Sequence, residues 1–197
     1  MGMRNLRPLT AVVAAMVVID AAITPLILGW AAVHLDSLQT AIGPIATEFD
    51  YSVMAFRILT MIVFSVWIYQ AGTNLIEAGF DDLEFTPGSR IWWYAVPIAT
   101  FFKPFQGMRE LWNASHGITE YDRGSGLVSA WWALWIISNI GNWILLRFSG
   151  PEGASAEFSW IMAVVDIGLA AAAIAMIRAI AAAQANLSPE ALEEVFA

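Results

Sequence analysis

Residues 85–115 read FTPGSRIWWYAVPIATFFKPFQGMRELWNAS, and the way this stretch meets a bilayer decides the fold. Pro97, Pro104, Lys103 and Arg109 interrupt an aromatic-rich run, so its apolar core, 91–102, is only 12 residues long. A helix that crosses hydrocarbon needs about 20. The stretch is therefore predicted to be a re-entrant or interfacial element, opened by a turn at Pro87-Gly88 and broken around 97–104, where proline removes backbone donors and biases its predecessor away from helix. A proline-broken fifth crossing is the alternative.

The rest of the chain makes a bilayer the natural solvent. Of 197 residues only 9 are Lys or Arg and 17 Asp or Glu, 59% are apolar, the net charge is −8 and the mean hydropathy is +0.65. A soluble domain carries roughly a quarter of its residues as charged side chains. The 13% here excludes an ordinary soluble fold and a disordered chain, and the negative balance excludes a basic nucleic-acid-binding face. With no cysteine there is no disulfide, thiolate metal site or cysteine nucleophile.

Four apolar runs are long enough to cross: about 9–35, 55–78, 131–148 and 160–183. The first is too long for a signal-peptide core and reads as a retained anchor, kinked near residues 21–24 by Pro25. Gly168 and Ala172 give the last run a small-xxx-small spacing suited to close helix approach, although alanine is also simply a good helix former. If 85–115 does not cross, Arg4, Arg7, Arg90, Lys103, Arg109, Arg123 and Arg178 share one side and only Arg57 and Arg147 the other. That bias puts both termini in the cytoplasm, whereas a fifth crossing erases it. The expectation is an all-α membrane protein: one domain over 1–184 with four transmembrane helices and a broken segment at 90–115. A short acidic helix follows over 185–197, capped by Ser188 with Pro189 at its first position.

Residues 85–115 together with the later WWALW resemble the bacterial membrane family catalogued as domain of unknown function 4328. The resemblance rests on Thr86-Pro87-Gly88, Trp92-Trp93, Val96-Pro97-Ile98, Lys103-Pro104-Phe105-Gln106, Arg109-Glu110-Leu111-Trp112 and Trp131-Trp132-Ala133-Leu134-Trp135. It is strongest over about 60 residues. Arg90 departs from the apolar residue expected beside the tryptophan pair. The resemblance implies a multi-pass protein of the bacterial inner membrane, and because the family has no assigned activity it supplies no catalytic residue.

Several polar residues stand out inside the apolar runs. Asp20 falls near the middle of the first span, where a lone carboxylate is expensive, with Thr24 one turn on and Asp166 as a second carboxylate in the last span. Trp67, Gln70, Asn74 and Glu77 share one face of the second span, and Trp135, Ser138, Asn139 and Asn142 form a polar stripe on the third. If these faces meet, joined by Lys103 or Arg109, they form either a network that joins helices or a path for protons or small cations. His34 and His116 are the only histidines and fall on opposite faces in the four-span topology, too far apart for one haem iron. Of ten tryptophans, Trp92, Trp93, Trp112, Trp131, Trp132 and Trp160 end apolar runs and read as interfacial anchors, with a flat pigment or quinone as the sharper alternative.

No serine-elbow, nucleotide-loop, zinc-protease or dinucleotide motif occurs. The expectation is a non-catalytic accessory subunit or self-assembling scaffold without cofactor. Its partners would be the lipid bilayer and other membrane subunits or copies of itself, with no nucleic acid. A small ion, proton or solute conduit centred on Asp20 competes with this. An intramembrane acid/base pair of Asp20 and Asp166 is a distant third.

Overall fold

The structure is a computed structural model that describes residues 3–148 and 155–187. The tail expected to cap at Ser188 lies outside the described residues. Among those described, every regular element is helical. Helix α1, Arg7–Ile42, leads through a 3-10 turn at Gly43–Ile45 into α2, Ala46–Glu77. The short α3, Ser89–Trp92, is followed by 3-10 turns at Trp93–Ala95 and Ala99–Phe101, then by α4, Lys103–Ser115. Helices α5, Gly126–Phe148, and α6, Ala156–Ala185, complete the chain.

Local chemistry explains the ends. Ser155 caps α6 by accepting a hydrogen bond from the Phe158 N–H, with Glu157 in the positive first turn. Helix α2 closes with Gly79 in the left-handed region (φ 92°), the Phe80 N–H reaching the Leu75 carbonyl and the Gly79 N–H that of Ile76. Helix α4 ends the same way at Gly117 (φ 68°), with the Ile118 N–H on the Asn113 carbonyl.

Three contacts set the α1–α2 register: Arg4 against Asn74, Thr10 against Trp67 and Asp20 against Arg57. Successive pairs approach one another along both helices, so α1 and α2 are an antiparallel hairpin. Asp166 against Ser138 and Met162 against Gly141 set α5 and α6 antiparallel in turn. Helix α1 packs between α2 and α6, and α6 between α1 and α5. Helix α4 touches α2, α5 and α6 and bridges the outer pair. Arg4, Asn74, Ser115 and Gln184 meet at one end, the base, and the α1–α2 tip lies at the other.

The core is weighted toward the base: α1 buries only Thr10, Val13 and Ala14, against Trp67, Ile68 and Leu75 of α2 and Ile177 and Ile180 of α6. Farther along, Val18, Leu26, Val33, Met54 and Ile58 are exposed. Two described stretches are long and apolar enough to cross a membrane, Arg7–Glu77, folded back on itself as α1 and α2, and Ala156–Ala185. Helix α5 falls below that mark, since Ser138, Asn139 and Asn142 dilute its apolar run.

The segment 85–115 breaks as its prolines require. Arg90 donates its N–H to the Thr86 carbonyl across the Pro87-Gly88 turn, Val96 is extended, and Ile98 has φ 67°. A β-branched residue in that region is strained, and Ile98 sits at the joint between two turns, its carbonyl accepting the Phe101 N–H at the start of the second. Two expectations need correction. Pro25 keeps helical dihedrals around it, and the point where the chain leaves the helical region is not there but at His34 (φ −140°, ψ 57°), nine residues on. The close approach of α5 and α6 is made by Gly141, where a Cβ would overlap the Met162 thioether; at Gly168 a Cβ would sit 3.7 Å from Leu134, an ordinary contact.

Candidate functional site

The most constrained chemistry is at the base, in two clusters. In the first, the Glu110 carboxylate on α4 accepts the backbone N–H of Glu84 (2.7 Å) and of Phe85 (3.1 Å), and takes a 2.6 Å ion pair from Arg90. The two side chains are 1% and 6% exposed. The other Arg90 terminal nitrogen donates to the Gly107 carbonyl. Gly72 and Gly107 make room for this: a Cβ on Gly72 would press Arg90 and Pro87 at 3.3 Å, and one on Gly107 would press Phe85 at 3.4 Å. Burial pushes the Arg90 guanidinium pKa down while Glu110 pulls it back up, and a guanidinium keeps its proton regardless.

In the second cluster Gln184 is the hub. Its amide nitrogen donates to the Ala71 carbonyl (3.0 Å) and the Ser115 hydroxyl (2.9 Å), and its oxygen accepts from Asn74 (3.1 Å). Asn74 also clamps the Arg4 backbone, accepting its N–H and donating to its carbonyl. One buried amide pair thus joins the chain before α1 to α2, α4 and α6. Nearby, Asn113 donates to the carbonyls of Glu120, Tyr121 and Arg123 and holds the loop into α5.

An aromatic wall backs α4. Trp132 and Trp135 stack at 4.5 Å, Trp131 and Phe105 lean on Trp132, and Tyr94 meets Trp135 edge-on. Trp131 and Trp132 are buried, which corrects their reading as interfacial anchors; they end an apolar run, but Phe105 of α4 packs on Trp132 and Trp132 on Trp131. Trp92 and Trp160 are exposed as expected.

The expected single polar interior does not form. Asp20 pairs with Arg57 at 3.1 Å, the side chains 31% and 44% exposed, and Thr24 shares no hydrogen bond with it. Asp166 accepts from Ser138, to which Asn142 also donates, while the exposed Asn139 turns back to the Trp135 carbonyl of its own helix. Gln70 is half-buried, and one Glu77 oxygen is buried without a partner among the described residues. The faces separate because α1 and α6 lie between α2 and α5, with α4 filling the space between their base ends. Lys103 pairs with Glu84 at the edge and lies over Phe85, and Arg109 lies over Phe105, so neither joins the polar residues of the helices. The cation that goes inside is Arg90.

Of the family motif, Pro87, Gly88 and Pro97 make turns and Pro104 opens α4. Glu110 is the buried anchor, Gln106 and Trp93 are half-buried, and Trp112 stacks on His116 at 4.2 Å. His34 is at the tip and His116 at the base, so one iron cannot bind both from one chain. Among the described residues no three metal-ligating side chains converge. Sequence reasoning missed Arg90, Arg57, Ser115 and Gln184. Arg90 was legible as a cation in an aromatic run with an acid one short helix away, whereas Gln184, at the end of an alanine-rich run, carried no signal.

A family model described as Domain of unknown function (DUF4328) matches residues 44–185, most of the chain, and the chain belongs to that family. The match begins just before α2 and leaves α1 outside. No curated protein and no solved structure matches the chain.

Proposed function

We propose that this family member is a multi-pass protein of the bacterial inner membrane in which α1, α2, α5 and α6 cross the bilayer. Helices α3 and α4 stay at the cytoplasmic face with both termini, and the whole acts as a non-catalytic scaffold or accessory subunit. The topology is supported by the positive residues that gather toward the base, Arg4, Arg7, Arg90, Lys103, Arg109 and Arg123 among them, while Arg147 ends α5 at the far side. The observation that carries the scaffold reading is that the polar groups are consumed in separate clusters. Asp20–Arg57, Ser138–Asp166–Asn142, Asn74–Gln184–Ser115 and Arg90–Glu110 each join two or more elements, with apolar layers between them. A conduit needs a continuous polar lining.

The test is flux through vesicles under an imposed proton or cation gradient. The expected result is no flux above empty vesicles, and an Asp20→Asn variant within about 1 kcal/mol of the parent, since the amide oxygen still accepts from Arg57. Flux that Asp20→Asn abolishes without loss of stability would establish the conduit instead. Cysteines placed at Ser115 and Ser125 are expected to label from the cytoplasmic side; periplasmic labelling of both would establish a fifth crossing.

A further inference from the structure

A shallow groove of about 580 Å³ runs along the outer face of α2 from Ile58 to Gln70. Met61, Ile62 and Val66 give it an exposed apolar floor, Ser65 is the small residue midway along it, and Ile91 of α3 lines its side. Twelve steps from Ile58 to Gln70 at 1.5 Å rise make it about 18 Å long. That is roughly one leaflet of an about 30 Å hydrocarbon core. Its far end reaches the level of the Asp20–Arg57 pair, and its basal end is lined by Arg4.

Arg4 is exposed and its guanidinium has no acidic partner among the described residues. Its backbone is nevertheless held on both sides by Asn74, at 2.8 and 2.9 Å, and Asn74 is 1% exposed. The groove therefore has a tethered cation at its polar end and an apolar track of leaflet depth beyond it.

We propose that this groove binds one acyl chain of an anionic phospholipid, with the phosphate at Arg4. The proposal rests on the bilayer topology above. The apolar track matches the tail, and the guanidinium fork matches two phosphate oxygens. A zwitterionic lipid offers the same tail, but its own ammonium offsets the phosphate charge, so the single cation discriminates by net charge.

The full chain, extracted from membranes and placed in nanodiscs of equal phosphatidylglycerol and phosphatidylcholine, is released into mild detergent and its retained lipid identified by native mass spectrometry. The expected result is one retained lipid per chain, with phosphatidylglycerol favoured about tenfold, or about 1.4 kcal/mol. Arg4→Gln, which leaves the backbone bonds to Asn74 in place, is expected to bring that preference close to one. Ser65→Trp, which fills the groove, is expected to reduce retention of both lipids. Equal retention of the two lipids by the parent, or an Arg4→Gln variant with undiminished preference, would overturn the proposal while leaving the topology standing. A chain recovered outside the membrane fraction would overturn the topology and the lipid site together.

Discussion

The base of the molecule and the distal half of the α1–α2 hairpin are built from the same apolar helices but held by different means. At the base, buried polar groups tie α2, α3, α4 and α6 and the chain before α1 together, with the Glu110 carboxylate and the Asn74 and Gln184 amides each matched to named partners. In the distal half, among the described residues, α1 and α2 are linked through side chains by the half-exposed Asp20–Arg57 pair, and large apolar side chains face outward. Burial of apolar surface cannot choose between a helix and a lipid tail as neighbour, so helices inside a bilayer are arranged by close packing and polar matches. In the proposed topology the base therefore specifies the fold and the distal half relies on lipid.

The largest loss is expected at Glu110. Glu110→Ala leaves Arg90 buried without a counter-charge and strips two backbone N–H groups of their acceptor, an expected loss of about 3–5 kcal/mol in denaturant unfolding of the detergent-solubilised protein. Replacing both partners with apolar residues, Arg90→Met with Glu110→Leu, should recover the part due to the unpaired charge and leave the part due to the two unmatched N–H groups. A Glu110→Ala loss no larger than that of Asp20→Asn would refute the contrast between base and tip. Gln184→Ala is next, about 1–3 kcal/mol, because it leaves the Ala71 carbonyl and the Asn74 amide buried with a missing partner.

Two glycines on the α5–α6 contact sharpen the picture with opposite signs. Gly141→Ala should destabilise by about 1 kcal/mol or less, since the added methyl displaces only the flexible end of Met162. Gly168→Ala should be neutral or stabilising by up to about 1 kcal/mol, having room beside Leu134 and a better helix propensity. Thermal melts of both variants under one detergent condition decide this.

The smallest expected effect is in the loop before α5, where the Tyr121 hydroxyl donates to Asp82 at 3.0 Å. Partial burial, the bond to Asp82 and the negative charges of Asp82, Glu110 and Asp81 hold this phenol above the usual tyrosine range. A pKa raised on folding contributes stability that is present below the unfolded value of about 10 and lost as pH rises through the folded one. Tyr121→Phe should therefore flatten a small decline in melting temperature above pH 10 and change little at pH 7.

The broken segment was readable in detail because proline and glycine act locally: the turn at Pro87-Gly88 and the interruption between Pro97 and Pro104 follow from backbone sterics alone. Asp20 was readable as a residue that must be paired, but its partner was not, because Arg57 becomes its neighbour only through the hairpin register. Trp131 and Trp132 misled for the same reason. Their position at the end of an apolar run is a sequence property, whereas their burial depends on elements from elsewhere in the chain, Phe105 of α4 against Trp132 among them.

Sequence alone determined the helical class, the apolar stretches and the break in 85–115, since composition, periodicity and turn chemistry act within a few residues; the helix ends ran past the apolar runs, α1 to Ile42 and α2 from Ala46. Tertiary structure alone decided which polar residues meet: that Arg90 rather than Lys103 or Arg109 goes inside to Glu110, that Gln184 closes on Asn74 and Ser115, and that α1, α6 and α4 keep the polar faces of α2 and α5 apart. These pairings span up to 110 residues. They depend on the side-by-side order and register of helices whose lipid-compatible surfaces carry no record of their neighbours.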